Sequence, residues 1–338
     1  MTKELNINER IFVAGSGGMA GSAICRALYK YNYGKTNKGK ILSPTREELD
    51  LFDLNAIKAW FKLHKPTVLI IAAAKVGGII ANSNFPATFL LENLKIQLNL
   101  FEACREFKIK KVLFLGSSCI YPKFAQQPIK EEYLLSGFLE PSNQWYALAK
   151  IAGIKSCEAL RLEHNIDAIS LMPTNLYGPG DNYHNSNSHV LAAFIRRFYE
   201  ARINKKKEVI CWGTGSPLRE FLHVDDLGEA VVFALNNWDP DSLNSPRDKN
   251  GEKLFFLNIG TGKEISIKDL AYLIKNELNY TGRIIWDHSK PDGTPRKLLN
   301  IDRIKSLGWY PKIKLDEGIR QTIKDFIDKY DSNELRLN

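Results

Sequence analysis

The stretch RIFVAGSGGMAG, Arg10 to Gly21, reads as a short strand that runs into a glycine turn. Arg10 to Ala14 is a β-type run, and Gly15, Gly18 and Gly21 follow at intervals of three. Ile24, Ala27, Leu28 and Tyr31 then repeat with helical spacing. Glycines in such a turn let the backbone bend tightly, approach a pyrophosphate and pack helix against strand. Met19 and Ala20 open the helix, so its free N–H groups face the phosphates. The spacing alone is weak, but strand, turn and helix in this order supply the context a dinucleotide site requires.

Outward from this stretch the pattern alternates. Lys40 to Ser43 suits a second strand, and Leu54 to Leu63 a helix. Val68 to Ala74 is a continuous apolar run, as expected of a strand covered on both faces. A long helical pattern covers about Pro86 to Phe107, Lys111 to Leu115 is a strand, Tyr146 to Glu163 a helix, and Ala168 to Met172 a strand. Alternation of this kind predicts an α/β fold, a doubly wound parallel Rossmann sheet. After about Gly180 the rhythm changes, and a loop-rich segment surrounds one helix near Val190 to Ala201. The expected division is a dinucleotide-binding domain over residues 8–180 with a returning element at about 218–240. Residues 181–217 and 241–332 are expected to form a smaller mixed α/β substrate domain.

The chain has 338 residues, 44% hydrophobic and 25% charged, which fits two globular lobes and argues against disorder. No apolar run reaches the roughly 18 residues of a membrane span, and Met1 to Arg10 is polar rather than a secretion signal. The expected location is the cytoplasm, with no membrane partner. The net charge of +9 raises nucleic acid as a partner, but the basic residues are dispersed, with Lys205 to Lys207 the tight cluster. A solvated basic surface serving a polyanionic small substrate is the preferred reading. Five scattered cysteines fit neither a disulfide framework nor a metal site. Cys25, Cys104 and Cys157 fall in helical apolar patterns as small hydrophobes.

Two further constellations carry chemistry. After the second strand, where an NAD site places an acid for the ribose 2′-hydroxyl, the chain has Pro44-Thr45-Arg46. The fork of Arg46 suits a 2′-phosphate, so NADP(H) is the expected cofactor; a solvated loop arginine is the plainer alternative. Tyr146 and Lys150 share a helix face at i and i+4. An ammonium beside a phenol eases proton exchange. Ser117 and Ser118 follow the strand ending at Leu115, where a doubly wound sheet binds ligands, and a serine hydroxyl there can hold a carbonyl oxygen.

This set resembles the extended short-chain dehydrogenase/reductases. Ala72 to Ile79, Gly116 to Pro122, Met172 to Pro179, Asn187 to His189 and Lys290 to Thr294 are similar to motifs of the GDP-L-fucose synthase family, and the match covers nearly the whole chain. The resemblance implies epimerisation at C3 and C5 of GDP-4-keto-6-deoxy-D-mannose, then reduction of C4 with NADPH, in a homodimer. It assigns Ser117, Tyr146 and Lys150 to reduction, and Cys119 and His189 to epimerisation. Leu115, Gly116, Ser117, Ser118, Lys150, Pro173, Thr174, Asn175, Leu176 and His189 match cofactor-contacting positions. Arg197, Trp212, Arg219, Lys290 and Asp292 match the substrate side. No metal is implied.

The chain departs from that family at Ser16-Gly17, where the turn usually carries His-Arg. The arginine helps hold the 2′-phosphate, so more falls to Arg46. Plainer roles also stand for other residues: His189 as a cap or loop histidine, Trp212 as core, and Arg197 and Arg219 as surface charge. Two rival functions are an NAD-retaining nucleotide-sugar 4-epimerase or dehydratase, and a non-catalytic NADP-sensing protein. Net NADPH oxidation separates the first from a reductase, and the presence of both Tyr146 and Lys150 speaks against the second.

Overall fold

The computed structural model describes residues 4–185, 187–290 and 292–337. Pro291, part of the expected substrate-side loop, and Met1 to Lys3, part of the polar start, lie outside the described residues. The larger lobe begins β1 (Arg10–Ala14), α1 (Met19–Lys30), β2 (Lys40–Leu42), α2 (Leu54–His64), β3 (Val68–Ile71), α3 (Ile79–Asn84) and α4 (Pro86–Glu106). It continues with β4 (Lys111–Leu115), α5 (Gln144–His164) and β5 (Asp167–Pro173). Then come β6 (Asn175–Tyr177), α6 (Val190–Ile203), β7 (Glu208–Trp212), β8 (Leu218–His223) and α7 (Val224–Asn237). The chain closes with β9 (Phe256–Ile259), β10 (Glu264–Ser266), α8 (Ile267–Glu277), β11 (Arg283–Asp287), β12 (Arg296–Lys297), α9 (Asp302–Ser306) and α10 (Leu315–Asp331).

The main sheet has the strand order β2-β1-β3-β4-β5-β9, all parallel. Its strands β3 and β4 are buried along their whole length, as strands sandwiched between helices must be. Order reverses on either side of β1, and the crevice beyond the strand ends there is where such sheets bind ligands. Local sequence sets the flanking helices. Asp53 accepts hydrogen bonds from Asn55 N and Ala56 N and so starts α2. Pro86 sits in the first turn of α4, and Asn165 ends α5 in a left-handed conformation.

The second lobe has its own apolar core, built from α6, α8, α10 and strands β7 and β8. β8 pairs with β6, β10 and β12, while β7 pairs in parallel with β11. The boundary differs from the sequence expectation. Phe256 to Ile259 form the sixth strand of the main sheet, and Leu299, Ile301, Ile304 and Trp309 are buried in the larger core. Residues 241–332 are therefore divided between the lobes rather than given to the smaller one. The return also differs: α7 packs on the larger core, but β8, within the expected 218–240 element, joins the other sheet. Among the described residues no helix is long and apolar enough to cross a membrane.

Candidate functional site

The glycine turn is built for close approach. Gly15 has φ +85°, and a Cβ there would lie 2.6 Å from Ala73 N. At Gly21 a Cβ would lie 2.1 Å from Gly15 O, so α1 can rest against the turn only without a side chain. α1 starts at Gly18 with no side-chain cap among the described residues and no acid in its first turn. That N-terminus keeps its N–H groups for an anion. Beyond β2, Thr45 N donates to Glu48 Oε2 (2.7 Å) and Glu48 N to Thr45 Oγ1 (3.3 Å). This reciprocal pair braces the turn carrying Arg46 and occupies the nearest well-placed acid. The cradle fits a dinucleotide, and Arg46 is exposed at its edge.

At the end of β4 the chain turns through a short helical segment at Ser118–Ile120. Ser117 Oγ accepts from Cys119 N at 3.2 Å and fixes that turn. α5 brings Tyr146 and Lys150 to the same place. Lys150 is 3% exposed, and its Nζ donates to Leu115 O at 2.7 Å. Burial lowers its pKa to about 7. Burial pushes Tyr146 well above its ordinary value; the Cys119 charge adds to this, and Ser117 opposes it. The sequence reading had Lys150 lowering the tyrosine. Here Lys150 Nζ bonds the Leu115 carbonyl and lies 5.7 Å from the Tyr146 ring centre, and burial favours the protonated phenol.

Cys119 differs from the other cysteines. Burial pushes Cys25 and Cys211 up to about 11 and Cys157 to about 12, and raises Cys104, so these thiols are inert packing groups. Around the Cys119 sulfur stand Asn143 Nδ2 at 3.4 Å and Lys297 Nζ at 3.7 Å. Asn143 immediately precedes α5, and Lys297 comes from β12, which runs beside Arg219 on β8. The sulfur thus faces a cation and an amide donor rather than apolar packing. Neither Asn143 nor Lys297 was singled out in the sequence. Buried Glu220 sets their frame by accepting from Thr261 N, Gly262 N and Leu299 N.

His189 immediately precedes α6, but its side chain makes no cap bond among the described residues. The capping role considered for it is not the one it plays. His189 is an exposed residue at the head of α6; desolvation by the protein around its ring, then the Lys297 charge, holds it below its ordinary pKa. Lys297 thus acts on both Cys119 and His189, one from each lobe.

The expected substrate residues also converge. The Arg197 guanidinium lies 5.2 Å from the Trp212 ring centre, and Lys290 Nζ 5.7 Å from it. Trp212 is exposed rather than core. Asp292 Oδ1 and Oδ2 accept from Thr214 N (3.0 Å) and Thr214 Oγ1 (2.7 Å), fastening Asp292 just beyond β7. Arg219 is half-buried, and that desolvation lowers its pKa against the pull of Cys119, Asp292 and Glu140. Of the expected cofactor-contacting residues, Pro173 ends β5. Thr174 Oγ1 and Asn175 Nδ2 both donate to Glu220 O (3.3 and 2.8 Å), and Leu176 is half-buried beside them. The Thr174 and Asn175 side chains hold the lobes together. Among the described residues no cluster could hold a metal ion.

A dinucleotide cradle beside a serine, tyrosine and lysine set defines an oxidoreductase of the short-chain dehydrogenase/reductase class. A family model, NAD dependent epimerase/dehydratase family, matches residues 11–245. The chain is 52% identical to GDP-L-fucose synthase 1 of Arabidopsis thaliana, covering 93% of this chain and 91% of that one. It is 45% identical to GDP-L-fucose synthase of Escherichia coli, covering 96% and 98%. A crystal structure of a GDP-L-fucose synthetase from Naegleria fowleri bound to NADP superimposes with a TM-score of 0.85 at 27% identity, covering 98% of each chain. The chain belongs to the NAD dependent epimerase/dehydratase family and, within it, to the GDP-L-fucose synthases.

Proposed function

We propose that this chain epimerises C3 and C5 of GDP-4-keto-6-deoxy-D-mannose and then reduces C4, releasing GDP-L-fucose. The observation that carries the reading is the Cys119 sulfur, set between Lys297 and Asn143 and two residues from Ser117. A reductase alone has no use for a thiol at that place. Ser117 holds the C4 oxygen, which draws electrons from both neighbouring carbons. Cys119 takes the proton from the carbon beside the ketone, and the enolate forms. His189 returns a proton from the smaller lobe. It does so as the imidazolium and is left neutral; the negative charge of the enolate beside it favours that protonated form before transfer. Bound NADPH supplies the hydride for C4. Tyr146, kept protonated by burial, gives its proton to the C4 oxygen. Arg219 and Arg197 face the diphosphate, and Trp212 offers a stacking surface to the base.

The reading is tested by following the loss of NADPH absorbance with this substrate against other keto-sugar nucleotides. Turnover confined to unrelated keto sugars overturns the hexose assignment. An enzyme that returns its hydride and oxidises no added NADPH would be the 4-epimerase or dehydratase instead. Arg46→Ala is expected to weaken NADPH by about tenfold or more and NADH little, since a charge-assisted bond is worth roughly 1.5–3 kcal/mol. Equal losses in two binding titrations would remove Arg46 from the 2′-phosphate.

The chain works as a homodimer in the cytoplasm. Five free cysteines suit a reducing compartment. α4 and α5 pack together, and Leu91, Leu98, Leu148 and Leu162 on them are 60%, 51%, 40% and 70% exposed. A face of that kind is apt for an isologous two-fold contact. Light scattering at micromolar concentration is expected to give twice the chain mass. A monomer mass there, or a dimer unchanged by Leu98→Glu with Leu162→Glu, counts against this face.

A further inference from the structure

The segment that follows α10 does more than end the fold. Tyr183 N donates to Arg336 O at 2.9 Å, and Arg336 Nη1 to Gly180 O at 3.4 Å, so residues 180–183 hold Arg336 in place. That loop lies against the start of α1: a Cβ on Gly180 would stand 3.9 Å from Met19 Cα. Arg336 Nη1 lies 3.9 Å from where a side chain on Gly18 would begin. The neighbouring Gly17 is exposed, and among the described residues no atom stands within 4 Å of its would-be Cβ. A cation brought from more than 300 residues away thus stands over a turn that carries no side-chain charge of its own.

The charge of Arg46 is felt at Arg336. Arg336 sits near enough to Arg46 for the like charge to lower its pKa, after burial and against the pull of Asp181. Asp181 is a weak counter-ion, because burial lifts its carboxyl to about 7. An arginine at a helix N-terminus with no acid in its first turn, with a second arginine charge nearby, favours an anion there. We propose that Arg336 is a cofactor-specificity residue, which closes over the glycine turn and grips the 2′-phosphate of NADPH together with Arg46. It takes the place of a side chain that Gly17 lacks. The proposal rests on the NADPH reading above.

The test is a set of fluorescence titrations of the full chain with NADPH and with NADH. Arg336→Ala is expected to weaken NADPH at least about tenfold and NADH less than about twofold, the signature of one lost charge-assisted contact. Gly17→Arg added to Arg336→Ala is expected to restore NADPH binding, since the space at Gly17 is open. A loss shared equally by both cofactors would mean that Arg336 only fastens the tail and would overturn the proposal. An unchanged preference for NADPH in Arg336→Ala overturns it as well. A wild-type chain that binds NADH as tightly as NADPH overturns the cofactor reading itself.

Discussion

Tyr146→Phe binds NADPH as the wild type does and loses about 10²–10⁴-fold in C4 reduction, the usual worth of a placed general acid. The substitution removes one hydroxyl from a ring that keeps its place on α5, so cofactor titrations report an intact site while turnover fails. The phenol is the donor because burial holds it well above its ordinary value, leaving it loaded across the neutral range. Lys150 is the group that titrates. Burial brings it to about 7, and its protonated form is the working one, so kcat/KM for reduction falls as pH rises through that value. Lys150→Arg keeps its charge and is expected to remove that alkaline limb, even if its maximum rate is lower. Near-normal reduction by Tyr146→Phe would strip the tyrosine of its role.

Cys119→Ser is expected to stop proton exchange at C3 and C5 while sparing NADPH binding. The sulfur is the group that Asn143 and Lys297 face, and a serine hydroxyl at the same place is a far weaker base at neutral pH. With substrate in D₂O and no cofactor, the wild type labels both carbons, and Cys119→Ser is expected to be slower by about 10²-fold or more. His189 variants keep some exchange but invert poorly, because the second lobe no longer returns the proton. Lys297→Met tests the shared cation: it removes the ammonium beside the Cys119 sulfur and lets the His189 imidazole charge at higher pH. Exchange by Cys119→Ser at the wild-type rate would make Cys119 a packed thiol and nothing more.

The main sheet could be read from the chain because its signals are local. Gly15, Gly18 and Gly21 follow an apolar run, and Val68 to Ile71 and Lys111 to Leu115 are unbroken strands between helical patterns. The site was legible where it lies on those motifs, as with Ser117, Tyr146 and Lys150, or on short motifs the resemblance carries, as with His189 and Trp212. What was missed is joined only by folding. Lys297 is 178 positions from Cys119, and nothing near either residue announces the other. Asn143 looks like a residue that begins a helix and proves to donate to sulfur. Phe256 to Ile259 is a four-residue apolar run amid mixed sequence, too short to show that it crosses back to the main sheet. Arg336 lies beyond the last helix, and only folding brings it to the start of α1.

The order of events on one sugar ring is the centre of this account: C3 and C5 invert first, and C4 is reduced afterwards in the same pocket. The direct measurement is the NMR spectrum of the product made by the wild-type chain from GDP-4-keto-6-deoxy-D-mannose and NADPH in D₂O. The account predicts GDP-L-fucose carrying deuterium at both C3 and C5, with ordinary hydrogen from NADPH at C4. An unlabelled product that keeps the D configuration would show reduction without epimerisation and would contradict it.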